Sequence, residues 1–227
     1  MPAERPIAVV ITAYQEGDRL GATLEALAVA FPGARLVVAD DASTDDTPEV
    51  AARHGAELVR APRRLGKGGV ATLGAERALG EASEPPVLVL CDGDLGDSAA
   101  ELPALVAALD RGDGDLAVAS FARRVGGGFG FALGFARFVI RRLTGLEPDA
   151  PISGQRALAP HAVSHVLPFA PRFGMEIGMT VDAHRAGLRL VEIELPLAHR
   201  ATGRTLGGFL HRARQLRDFV RVYLARR

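Results

Sequence analysis

A chain of 227 residues that is 48% hydrophobic and 24% charged can bury a substantial core, which excludes disorder as its dominant state. The single cysteine, Cys91, excludes a disulfide framework and a cysteine-built zinc centre. The net charge of zero hides a division: 10 basic against 20 acidic residues up to position 119, then 17 against 7. An acidic first half followed by a basic second half points to phosphate-bearing ligands or anionic lipid at the second.

The first 120 residues alternate between two periodicities. Short apolar runs at 7–12 (IAVVIT), 35–40 (RLVVAD), 56–60 (AELVR), 87–91 (VLVLC) and 115–120 (DLAVAS) suit strands covered on both faces. Between them, helical patterns cover 18–31, 45–54, 67–82 and 98–109. Asp46 and Ser98 are expected N-caps, with Glu49 and Glu101 as capping-box partners. Strands alternating with helices predict βαβ crossovers and an open, mostly parallel α/β sheet. The second half predicts an amphipathic helix over 135–144, a helix over 175–186, a strand over 188–195 and a basic amphipathic helix over 208–224. With no linker or repeat, one composite domain over 1–227 is expected, split functionally near position 120.

Ligands of open α/β sheets bind beyond the carboxyl ends of the strands, and here those ends are acidic: Glu16 after the first, Asp40-Asp41 after the second, Asp92-Gly93-Asp94 after the fourth. Carboxylates converging on one rim repel unless a cation or donor-rich ligand sits among them. A hard divalent ion, Mg²⁺ or Mn²⁺ arriving with a diphosphate, answers that requirement.

In order and spacing, IAVVITAYQE, VVADDASTDDT, RLGKGGVATLGAERAL and VLVLCDGDL resemble the successive signatures of family 2 glycosyltransferases, which have the GT-A fold. APISGQRAL, RFGMEIGMTVDAHRAGLRLVEIEL and HRATGR further resemble the polyprenyl-phosphate subgroup and retaining synthases that glycosylate phosphoglycerate. Ala13 and Gln15 stand where the family usually shows Pro and Asn, and Gly96 where polyprenyl-phosphate enzymes often carry Gln. The resemblance implies that Ala13, Tyr14 and Glu16 line a nucleotide pocket, that Asp40 and Asp41 accept from base and ribose, and that Lys67 lies against the nucleotide. It implies that Asp92 and Asp94 hold ribose and metal, with His199 as a further ligand.

Gln155, Arg156, Arg200 and Arg204 are candidates for the diphosphate or a phosphate-bearing acceptor, Arg172 a further one, because guanidinium forks bind phosphate. Glu176 is the candidate base. The expectation is metal-dependent transfer from a nucleotide diphospho-sugar to a phosphate-bearing acceptor such as a polyprenyl phosphate. The alternatives are retaining transfer to a soluble acceptor such as phosphoglycerate, and a degenerate sugar-nucleotide-binding scaffold. A dinucleotide oxidoreductase would need a Gly-x-Gly-x-x-Gly turn after the first strand, and a P-loop would need Ser or Thr where Gly68 stands. No aromatic-interleaved basic platform for nucleic acid is present. No run reaches the ~18 apolar residues of a membrane span and no secretory pattern opens the chain, so a cytoplasmic protein is expected. The basic amphipathic segments would serve either peripheral membrane contact or a homodimer.

Overall fold

The structure, a computed structural model, describes residues 5–80, 82, 84–121, 130–197 and 206–227. The first half runs β1 (Ile7–Ala13), α1 (Gly17–Ala30), β2 (Arg35–Asp40), α2 (Thr47–Arg53), β3 (Glu57–Arg60), α3 (Lys67–Gly80), β4 (Val87–Asp92), a 3-10 turn (Gly96–Glu101), α4 (Pro103–Asp110) and β5 (Leu116–Phe121). The second half runs α5 (Gly130–Thr144), β6 (Arg156–Leu158), α6 (Pro160–Val166), a 3-10 turn (Arg172–Gly174), α7 (Met175–Arg185), β7 (Leu190–Leu195) and α8 (Leu206–Arg226).

All seven strands join one sheet in the order β3-β2-β1-β4-β6-β5-β7. It is parallel except that β6 runs against both β4 and β5. Alternation sorts the side chains between two layers: Val9, Ile11, Val38 and Val89 face Leu20, Leu24, Leu27 and Leu105. Ala8, Val10, Val37, Leu88 and Leu90 face Val70, Ala75, Met175 and Met179. Burial on both faces is why these strands read as unbroken apolar runs. A third cluster joins α5, α7 and α8 through Ala136, Ile140, Ile177, Phe219 and Val222.

The structure corrects several local expectations. Asp46 occupies the N-cap of α2 without a side-chain bond there; its neighbour Asp45 instead accepts from the Thr47 N–H at 3.2 Å and hydroxyl at 2.6 Å. Ser98 lies inside a 3-10 turn and donates to the Leu95 carbonyl at 2.7 Å, so the helix begins only at Pro103, a residue suited to a first helical turn. Neither expected capping box forms among the bonds of the described residues. Both β6 and α6 lie in a stretch that carried no strand or helix expectation.

The amino end of α3 is pressed against the loop before α7, and a Cβ at Gly68 would overlap the Ala170 carbonyl oxygen. Backbone cannot yield as a flexible side chain does. Gly68→Ala is expected to cost about 1–3 kcal/mol of unfolding free energy in denaturant titrations. Gly80→Ala on the same helix, with open space around it, should be neutral or slightly stabilising. Equal behaviour of the two variants would contradict this packing.

Candidate active site

The strand order reverses direction between β1 and β4, which makes the crevice beyond their carboxyl ends a topological switch point. Register brings the expected residues to this edge: Thr12 pairs with Asp92, and Ala13 with Asp40. The chain beyond each end stays alongside β1, since the Asp41 N–H donates to the Ala13 carbonyl at 2.9 Å and the Gly93 N–H to the Thr12 carbonyl at 3.0 Å.

At the crevice floor lies a charged, hydrogen-bonded cluster drawn from five segments. Lys67, the first residue of α3, donates to Asp92 Oδ1 at 2.6 Å and to Glu176 Oε1 at 3.0 Å. Asp92 also accepts from Thr12 Oγ1 at 3.2 Å and from Gln155 Nε2 at 2.8 Å. A Cβ at Gly154 would overlap Lys67 Nζ and lie 2.9 Å from Asp92 Oδ2, so a side chain here would have to displace the ammonium from its place.

Burial opposes the charge on Lys67, but the carboxylates of Asp92 and Glu176 prevail and raise its pKa above the ordinary lysine value. Burial likewise disfavours ionised Asp92, and the Lys67 ammonium, with the Gln155 and Thr12 bonds, holds its carboxyl below the ordinary range. The lowered Asp92 contributes stability above its ordinary value of 3.8, lost as pH falls through the folded value. The raised Lys67 contributes stability below its ordinary value of 10.5, lost as pH rises through the folded value. The cluster's contribution should therefore be level between about pH 5 and 9 and shrink below about pH 4. Subtracting unfolding free energies of Lys67→Met from those of the wild type across pH measures it.

Asp94 differs from Asp92. It is half-buried, and its carboxylate makes no hydrogen bond or ion pair among the described residues. No group of three or more His, Cys, Asp or Glu side chains gathers around one point among those residues. A divalent ion would therefore rest on Asp94, with Asp92 beside it, and take its remaining ligands from phosphate oxygens and water, the usual habit of Mg²⁺. Among the described residues the donors are oxygens alone, which fits such an ion.

The remaining residues divide by what they bond. Asp40 is fully buried and spent on the Ser43 N–H at 3.0 Å and the Arg60 guanidinium at 3.2 Å. Asp41 accepts from the Leu65 N–H at 2.6 Å and the Gly66 N–H at 3.0 Å, fixing the turn into α3. Both were expected to meet base and ribose, and both are instead engaged in shaping the pocket wall. Ala13 is buried at the end of β1. Tyr14 is 38% exposed beside it, with the Arg64 guanidinium 3.5 Å above its ring. Glu16 opens α1, its backbone N–H donating to Thr47 Oγ1 at 2.9 Å.

Three expectations are corrected. Arg156 does not face the cleft: it is fully buried and donates to the Ser153 carbonyl at 2.9 Å and to Thr180 Oγ1 at 3.0 Å. Burial pushes its pKa down to about 10, so it stays charged at neutral pH as an internal brace. Gln155 is spent on Asp92 rather than on a phosphate. Glu176 is buried and ion-paired with the Lys67 ammonium at 3.0 Å rather than free in the crevice. His199, Arg200 and Arg204 lie outside the described residues. Sequence reasoning missed Thr12, Gly154 and Arg64. The glycine in ISGQ and the arginine pair before Leu65 were the available signals.

The profile of glycosyl transferase family 2 matches residues 8–154. The chain belongs to this family. Curated relatives of this family 2 chain include the glucosyl-3-phosphoglycerate synthase of Mycolicibacterium paratuberculosis, 35% identical over 82% of the chain and 62% of the relative's own length. An uncharacterized glycosyltransferase of Mycobacterium bovis is 32% identical over 88% of both chains. The chain thus spans about 62% of the first relative's length. Among solved structures, glucosyl-3-phosphoglycerate synthase from Mycobacterium tuberculosis, with Mn²⁺, UDP and glucosyl-3-phosphoglycerate, superposes with a TM-score of 0.80 at 27% identity, covering 99% of this chain and 80% of that one. The same enzyme with Mn²⁺, UDP-glucose and phosphoglyceric acid gives 0.79. The fold is therefore the GT-A fold of nucleotide-sugar transferases. The named activity among these relatives is synthesis of glucosyl-3-phosphoglycerate, not transfer to a polyprenyl phosphate.

Proposed function

We propose that this chain transfers a sugar from a nucleotide diphospho-sugar to a small, soluble, phosphate-bearing acceptor of the phosphoglycerate kind, with Mn²⁺ or Mg²⁺. The observation that carries it is the Asp94 carboxylate, which has no bonded partner among the described residues and stands beside an Asp92 bonded to Lys67, Thr12 and Gln155. The relatives' complexes with UDP-glucose and phosphoglyceric acid support the choice of donor and acceptor class.

When bound, the ion offsets the charge of the diphosphate leaving group. Asp94 would hold it, while Lys67, Gln155 and Thr12 keep Asp92 ionised and fixed in place. The α3 amino end adds partial positive charge facing the crevice. Because Lys67 neutralises Glu176, the hydroxyl of such an acceptor loses its proton most simply to a departing diphosphate oxygen. Attack then comes from the face the leaving group vacates, and configuration is retained. Arg200 and Arg204 are proposed for the acceptor phosphate, and His199 for the ion.

The experiment is a screen of UDP-, GDP- and ADP-glucose and the matching mannose donors against 3-phosphoglycerate and a short polyprenyl phosphate, with the product anomer read by NMR. Turnover with 3-phosphoglycerate and a retained anomer is expected. Turnover with polyprenyl phosphate alone would overturn the acceptor assignment. Binding of donor without turnover or metal-dependent hydrolysis would favour a scaffold.

One observation favours a lipid-linked acceptor as the second reading. Four of the seven exposed large apolar side chains among the described residues, Phe138, Leu216, Val220 and Leu224, sit on the adjoining helices α5 and α8. Arg141, Arg142, Arg217 and Arg221 are exposed on the same helices. Such a surface suits an anionic bilayer or a second copy. Flotation with phosphatidylglycerol vesicles and mass by light scattering distinguish the two.

A further inference from the structure

We infer that Ser153 is a positioning residue for Asp92: its hydroxyl orients the Gln155 side-chain amide, which in turn fixes the carboxylate that stands beside Asp94 at the crevice. Its consequence for sugar transfer rests on the nucleotide-sugar reading; its bonding does not. Asp92 is held unequally. Lys67 and Thr12 both donate to Oδ1, at 2.6 Å and 3.2 Å, whereas the bond to Oδ2 comes from Gln155 Nε2 at 2.8 Å. Two anchors on one oxygen leave the carboxylate free to swing about it, so the place of Oδ2 depends on Gln155.

A side-chain amide has one end that donates and one that accepts, while an ionised carboxylate only accepts. Gln155 turned end for end would set its carbonyl oxygen against Asp92 Oδ2, oxygen against oxygen. Which way an amide faces is decided by the partners of both ends. The partner of the second end is Ser153 Oγ, which donates to Gln155 Oε1 at 3.3 Å. Ser153 and Gln155 are each only 3% exposed, so water competes little for either group. The turn that carries both is fixed from behind. The fully buried Arg156 donates to the Ser153 carbonyl at 2.9 Å and to the Pro151 carbonyl at 3.4 Å. The Ser153 N–H donates to the Ala150 carbonyl at 3.1 Å, and the Gln155 carbonyl accepts from the Ala119 N–H of β5 at 2.9 Å. Among the described residues the Arg156 guanidinium bonds only neutral oxygens. Burying such a cation is costly beside an apolar side chain of similar size, and the order it imposes on residues 151–155 is its contribution to the site.

The chain contains three glutamines, Gln15, Gln155 and Gln215, and no asparagine, so its side-chain amides give three pairs of NMR signals in nitrogen-labelled protein. Gln155→Ala assigns the Gln155 pair. Two readouts are taken: that pair in the free protein, and calorimetric titration of UDP with and without Mn²⁺. The variants are Ser153→Ala, Ser153→Cys, Ser153→Thr, Gln155→Ala and the double variant Ser153→Ala/Gln155→Ala. In Ser153→Ala the Gln155 pair should move toward the position of an unbonded amide. UDP affinity in the presence of Mn²⁺ should fall about two- to ten-fold, the effect of losing one neutral hydrogen bond. Ser153→Cys, which nearly keeps the volume but donates weakly, should resemble Ser153→Ala, and Ser153→Thr should recover most of the loss. Because Ser153 acts through Gln155, removing it should cost UDP binding nothing further in the Gln155→Ala background. A loss of the same size in both backgrounds would overturn the positioning role. So would an unmoved Gln155 pair in Ser153→Ala, even with a lowered melting temperature. Failure of the wild type to bind UDP, with the amide signals behaving as expected, would overturn the donor reading and leave the orientation of Gln155 by Ser153 supported.

Discussion

Replacing Asp94 by alanine is expected to lower metal-dependent turnover of the sugar nucleotide by about 100-fold or more while barely changing the melting transition. The two halves of this result have separate causes. The carboxylate makes no bond to the described protein, so its removal leaves no orphaned partner, and surface changes of that sort stay within about 0.5 kcal/mol. The same carboxylate is the group left to meet a cation. Asp92→Asn should behave differently, losing stability as well as turnover, since Asp92 is bonded to Lys67, Thr12 and Gln155. Turnover measured against Mn²⁺ concentration, beside thermal unfolding, separates the variants. Unchanged turnover in Asp94→Ala would remove the motif from the mechanism.

The second large effect is expected at Lys67. Its removal as Lys67→Met leaves Asp92 and Glu176 close together without their shared cation, and breaking such a pair costs about 3 kcal/mol. Half of the penalty should vanish in the double variant Lys67→Met/Glu176→Gln, where one carboxylate is neutral. Acidification should rescue the single variant relative to wild type, because uncompensated carboxylates bind protons more readily. Denaturant unfolding at about pH 8 and below about pH 4 measures all three. A Lys67→Met protein as stable as wild type at pH 8 would contradict the view that this cluster ties α3, β4 and α7 together.

Much of this was legible in the chain because β1, β2 and β4 are buried on both faces and so announce themselves as apolar runs. Their ends could be located to within a residue. With the crossover rule, that placed Asp40, Asp41, Asp92 and Asp94 on one edge. What the pattern concealed is which carboxylates are already spent. Nothing local to Asp41 reveals that its oxygens close on Leu65 and Gly66, more than twenty positions away. Nor does Arg156 declare itself internal: it sits on β6, three residues long and antiparallel between two parallel neighbours, too short to show a period. Glu176 looked free because its partner, Lys67, lies over a hundred residues earlier. Strand ends locate a residue in the fold, but the partners that it bonds are set by chain segments far away in the sequence.

The central claim is that the acidic edge at the β1–β4 crevice receives a cation together with a nucleoside diphosphate. Calorimetric titration of UDP into the wild-type chain and into Asp94→Asn, each with and without Mn²⁺, tests it most directly. The account predicts at least about tenfold tighter binding with Mn²⁺ in the wild type, corresponding to a coupling of about 1.4 kcal/mol, and near-complete loss of that difference in the variant. Equal UDP affinity with and without the ion in the wild type, or an undiminished metal effect in Asp94→Asn, would contradict it.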